Sequence, residues 1–169
     1  MFIIAIARIV LKLKKNKGFV ILFAVTISAI LMAISLGVSN ISLKQLNFST
    51  SARNANDAFF ASDTGAECAL YYDRSTILRF NYPNNGSSMS CAGATIGDLA
   101  MSGDSTAWAY TFTVTNLGSS TQGCAKVSVS KNSTTGETIV DSKGYNIGGS
   151  TSCTSSNPNR TEREVIVSY

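Results

Sequence analysis

Histidine is absent from the 169-residue chain. No Cys–His or Ser–His pair can form, so two common routes to an activated nucleophile are closed. The imidazole ligand of many zinc sites is missing too, and none of the four cysteines is arranged as C-x-x-C. Together these absences point away from an enzyme and from a metal cofactor. Proline is scarce: of two, the first is Pro83, so nothing before it must interrupt a helix. Charge is missing over one long stretch, the nineteen residues FVILFAVTISAILMAISLG from Phe19 to Gly37.

That stretch organises the rest of the chain. As a helix it would span close to 30 Å, at about 1.5 Å per residue, which is the hydrocarbon thickness of a bilayer. Its polar members Thr26, Ser28 and Ser35 can return their hydroxyls to preceding helical carbonyls. An ordinary signal-peptide core is shorter, roughly 7–15 residues. Lys12, Lys14, Lys15 and Lys17 precede it. Basic residues beside a first span stay cytoplasmic, so the N-terminus is expected inside and everything after Val38 outside. The formal charge of +4 then belongs to topology. Five of the fourteen basic residues and none of the ten acids lie in residues 1–18, leaving nine basic against ten acidic residues, a net of −1. No basic patch remains to argue for nucleic acid as a partner.

Beyond the span the helix is expected to continue to about Tyr72. Phe48, Ala52, Ala55, Phe59, Ser62, Ala66 and Ala69 step by three and four, giving one apolar or small stripe. Asp63 and Glu67 lie one turn apart and read as solvated helix charges. Residues 74–107 are rich in Gly, Ser and Asn and predict a loop region, with turns over Tyr82–Gly86 and one short strand near Ala94–Ile96. The second half alternates. Trp108, Tyr110, Phe112 and Val114 face one side, Thr111, Thr113 and Thr115 the other. Ala125, Val127 and Val129 repeat the pattern, and Val165, Val167 and Tyr169 follow it in the last strand. Gly118–Gly123 and Asn132–Gly136 carry hairpin turn chemistry. The expected fold is α+β: a long N-terminal helix packed on a roughly four-stranded antiparallel sheet, with the Phe48–Leu70 stripe as its cover. Trp108 reads as a core residue of its strand rather than a sugar-stacking platform.

Lysines, then Gly18, then Phe19 at the head of an uninterrupted apolar helix resemble the type IV prepilin signal. The segment Ala52–Asp73, with Ala61-Ser-Asp-Thr-Gly65 before Ala69-Leu70, resembles the helix after the membrane span in PilX-type minor pilins. The tail SKGYNIGGSTSCTSSNPNRTEREVIVSY resembles the end of such chains. The resemblance implies a pilin-like fold divided into a leader (1–18), a transmembrane half-helix (19–38), a periplasmic half-helix (39–73), a variable region (74–107) and a sheet with a C-terminal disulfide loop (108–169). It implies cutting between Gly18 and Phe19 by a prepilin peptidase, and methylation of the Phe19 amine. Its further implications are partnership with other pilin subunits through the N-terminal helix, and passage from the bacterial inner membrane into an extracellular pilus. The task would be assembly, initiation or adhesion. The alternative is a signal-anchored extracytoplasmic binding domain that is never processed. One departure matters: where most pilins carry glutamate at the fifth mature residue, this chain has Phe23. That weighs against a major, repeating subunit and suits a minor or tip one.

The four cysteines fall outside the membrane on this topology, where disulfides persist. Three connectivities are open to them. The resemblance favours Cys124–Cys153 as the C-terminal loop disulfide, leaving Cys68 with Cys91. Cys68, beside Ala69 and Leu70, could instead be a buried free thiol. Arg160, Glu162, Arg163 and Glu164 read as charges protecting an exposed sheet edge.

Overall fold

The computed structural model describes residues 17–75, 80–83, 88–97, 99–118, 120–148 and 152–169. Residues 1–16, most of the expected leader (1–18), lie outside the described residues, as does part of the turn run expected over Tyr82–Gly86. The chain divides into two units, Met1–Ser49 and Thr50–Tyr169.

In the first unit the described chain is helical throughout, as the opening part of α1 (Lys17–Arg74). Thr26 Oγ1 donates to the Phe23 carbonyl at 2.9 Å, and Ser28 Oγ donates to the Val25 carbonyl at 3.0 Å. Both hydroxyls are thereby satisfied inside the helix, as lipid would demand. Every residue from Phe19 to Ser49 is exposed. Among the described residues α1 is the one helix long and apolar enough to cross a membrane.

In the second unit α1 continues without interruption, since neither proline falls within it. It ends at Arg74, where the Ser75 amide donates to the Tyr71 carbonyl at 3.0 Å and a basic side chain sits in the last turn. One face is buried: Ala58, Ala61, Ser62, Gly65, Ala66, Ala69, Tyr72 and Asp73. The spacing is helical, as expected, but the stripe is displaced from the expected one. Phe48 and Phe59 are exposed, at 76 % and 46 %. The face that meets the sheet is the one with the smallest side chains.

The reason lies across the interface. A Cβ on Gly144 would run into the Ala58 carbonyl oxygen and the Ser62 backbone. One on Gly65 would lie 2.8 Å from Val127 Cγ2 and 2.9 Å from Ala125 Cβ. Helix and sheet backbones therefore approach more closely than any phenylalanine would allow. Ser142 Oγ, fully buried there, donates to the Ser62 carbonyl at 2.7 Å.

The sheet is an antiparallel meander of five strands, not four: β3 (Ala100–Gly103), β4 (Ala107–Leu117), β5 (Gly123–Asn132), β6 (Thr138–Tyr145) and β7 (Glu162–Ser168), in that order. A separate hairpin pairs β1 (Met89–Cys91) with β2 (Ala94–Ile96). The region expected to be mostly loop thus contributes three strands. They are only three or four residues long, too short for a period of two to stand out. In β4 the expected alternation holds, with Tyr110, Phe112 and Val114 buried and Thr111 exposed. They meet Val129, Val127 and Ala125 of β5 in register.

Phe80, fully buried, packs on Tyr110 and Phe112 of β4 with ring centroids 5.6 and 6.0 Å away. Burying a side chain of that size is worth about 1.5–3 kcal/mol. Its carbonyl accepts from Trp108 Nε1 at 2.7 Å, and the Asn81 carbonyl accepts from Tyr110 OH at 2.9 Å. Trp108 is half-buried, with its indole N–H committed to this packing.

Candidate functional site

Two surfaces follow from this architecture. The first is the opening of α1. Gly18 and Phe19 lie in its first turn and Phe23 one turn further on. Phe19 is 82 % exposed and Phe23 58 %. A continuous helix presents these residues, with no carboxylate between Phe19 and Gly37. Chemically this surface offers dispersion contacts and apolar burial, to lipid or to other helices.

The second is the face of the sheet turned away from α1. Its outward residues follow from the strand register. Lys126 on β5 stands directly opposite Lys143 on β6, and Lys143 opposite Glu164 on β7. Lys143 Nζ lies 3.3 Å from Glu164 Oε1, which with its carboxylate neighbours holds the ammonium's pKa above the usual lysine value. Asp141, one outward position along β6, is shifted upward as well. Partial burial first, then the neighbouring Glu164, raise its carboxyl above the ordinary aspartate range, and its Oδ1 is buried without a hydrogen-bond partner. Over these strands runs an open groove of about 750 Å³, walled on one side by Thr95 and Ile96 of β2 with the following Gly97, and on the other by Ser152.

Disulfides hold both walls. Cys68 on α1 is joined to Cys91 on β1, Cα to Cα 6.0 Å, and Cys124 on β5 to Cys153, 5.8 Å. Neither Cys68 nor any other cysteine is a free thiol. The first bridge is reinforced by Tyr72, whose hydroxyl accepts from the Ser90 amide at 2.9 Å and donates to the Ser90 carbonyl at 3.0 Å. The second sits in a small cluster with Tyr145. A Cβ on Gly148 would collide with Cys124 Sγ, so glycine is required where the loop passes the bridge. Arg160 corrects an expectation. It is a half-buried part of this loop rather than an edge charge: its guanidinium lies 3.7 Å from the Tyr145 ring centroid, and Nη2 donates to the Cys153 carbonyl at 2.8 Å. Glu162, Arg163 and Glu164 are exposed on the edge strand β7.

A third group of residues was not anticipated. Asp73, buried at the end of α1, forms an ion pair with Lys131 of β5 at 2.5 Å and accepts from Tyr169 OH at 2.6 Å. The Arg74 guanidinium lies 4.5 Å from the Tyr169 ring centroid. The one sequence signal was Tyr169 following Val165 and Val167 on the inward side of the last strand.

No family model, curated protein or solved structure matches the chain.

Proposed function

We infer that the chain is a minor type IV pilin or pseudopilin of the PilX type: a non-enzymatic subunit, inserted in the bacterial inner membrane with its N-terminus cytoplasmic and then drawn into a filament. Prepilin peptidase would cut between Gly18 and Phe19, and other pilin subunits would pack against the released helix. The observation that carries the reading is a single helix, uncharged from Phe19 to Gly37, that runs on to Arg74, with residues 58–73 packed on an antiparallel meander. Filament assembly needs that combination, an apolar helix to exchange lipid for neighbouring helices and a folded unit joined to it without a break.

Phe23 gives the reading its minor character. A glutamate at that position would pair with the N-terminal amine of a neighbouring subunit; a phenyl ring contributes packing alone. N-terminal sequencing of protein from membranes tests the whole reading. The first residue should be Phe19, carrying an N-methyl group. An intact Met1 would assign the chain instead to the signal-anchored binding domains.

A further inference from the structure

The groove on the outer face of the sheet is lined by two lysines, an aspartate and several hydroxyl side chains, and lies entirely within the second unit. Lys126 and Lys143 are cross-strand neighbours on the same face. Like charges directly opposite one another repel, and such pairs are ordinarily relieved by a carboxylate or separated. Lys143 has Glu164. Lys126 has none: among the described residues no carboxylate lies within ion-pair distance of it. Lys126, half-buried, lines the groove together with Thr111, Thr113, Ser128 and Ser152. Hydroxyls both donate and accept, so they match a ligand that presents the same groups in return. Both walls are held by disulfides, so little conformational freedom would be lost on binding. The volume lies within the range of small-ligand sites, and the open form admits a chain that continues beyond it.

We propose that this groove binds an acidic polysaccharide, with a sulfate or carboxylate of the ligand seated at Lys126 beside Lys143 and sugar hydroxyls bonded to the threonine and serine floor. Asp141 lines the same groove and opposes the ligand's charge. It limits affinity and gives the test a sign.

The probes are dextran sulfate and unsulfated dextran, presented to the full-length protein in a neutral detergent at moderate ionic strength. Dextran sulfate should be retained and unsulfated dextran at least about tenfold less, the ratio one charge-assisted contact supplies. Lys126→Gln should weaken dextran sulfate binding about tenfold, whereas Lys44→Gln, in the first unit, should leave it unchanged. Asp141→Asn should strengthen binding, about threefold or more, an effect that misfolding cannot mimic. No retention of either polymer, equal retention of both, indifference to Lys126→Gln, or weaker binding by Asp141→Asn would each overturn the proposal. None of these outcomes bears on where the N-terminus is cut, so this reading and the filament reading fail separately.

Discussion

Tyr169 shows what a single hydroxyl contributes here. It donates to Asp73 at 2.6 Å, and partial burial, then that carboxylate, push its phenol up to about 12. The folded state therefore holds the proton more tightly than the unfolded chain, whose tyrosine titrates near pH 10. Stability from this bond is fully present below about pH 10 and is lost as pH rises through about 12. In a spectrophotometric titration the Tyr169 phenol should ionise near pH 12. Tyr169→Phe should remove that phase and cost about 1 kcal/mol in chemical denaturation. Tyr145, raised mainly by burial, should also ionise above the ordinary tyrosine value. The sequence indicates that Tyr169 faces inward, through its alternation with Val165 and Val167. It does not reveal Asp73 or Lys131 as partners, because their meeting depends on where α1 ends relative to β5, a distance that no local pattern encodes.

Among the elements, α1 and β6 depend most on each other. Gly144 admits the helix backbone where any side chain would strike the Ala58 carbonyl and Ser62. Gly144→Ala should cost about 3 kcal/mol, at the upper end of ordinary overpacking, because backbone rather than a pliable side chain must move. Gly136→Ala has open space for its Cβ but a φ of +73°, and should cost only about 1 kcal/mol. Comparing the two variants by thermal denaturation separates close packing from turn strain. The same contact explains why the helix was legible and its buried face only in part: Ser62, Ala66 and Ala69 are buried as expected, Phe48 and Phe59 are not. Stepping by three and four predicts amphipathicity, and large residues such as Phe48 and Phe59 dominate any such stripe. The sheet instead selects small residues, a preference set by Gly65 and Gly144 from opposite sides. Strands β4 and β5 are long enough to declare themselves by alternation, whereas β1 is tied to α1 by Tyr72 and the Cys68–Cys91 bridge, β2 pairs with β1, and β3 pairs with β4.

For the whole molecule, the proposed pilin function makes abundance in a filament the quantity to measure. If Phe23 limits docking, the subunit should be scarce and confined to an end, and immunogold labelling along entire shafts would contradict that. Phe23→Glu should raise incorporation by supplying a partner for a neighbouring amine, despite the several kcal/mol an unpaired carboxylate costs in lipid. The disulfides carry a further, mechanical consequence. Under tension along the chain, force bypasses the segments enclosed by the two bridges, which span sequence separations of 23 and 29 residues. Those segments cannot lengthen until sulfur–sulfur bonds break. At about 3.4 Å per extended residue they withhold roughly 170 Å of contour length. Single-molecule stretching should record an unfolding extension shorter by that amount in oxidised protein than after reduction. A subunit built this way can yield under load while giving up little length, so a tether that contains it stays short.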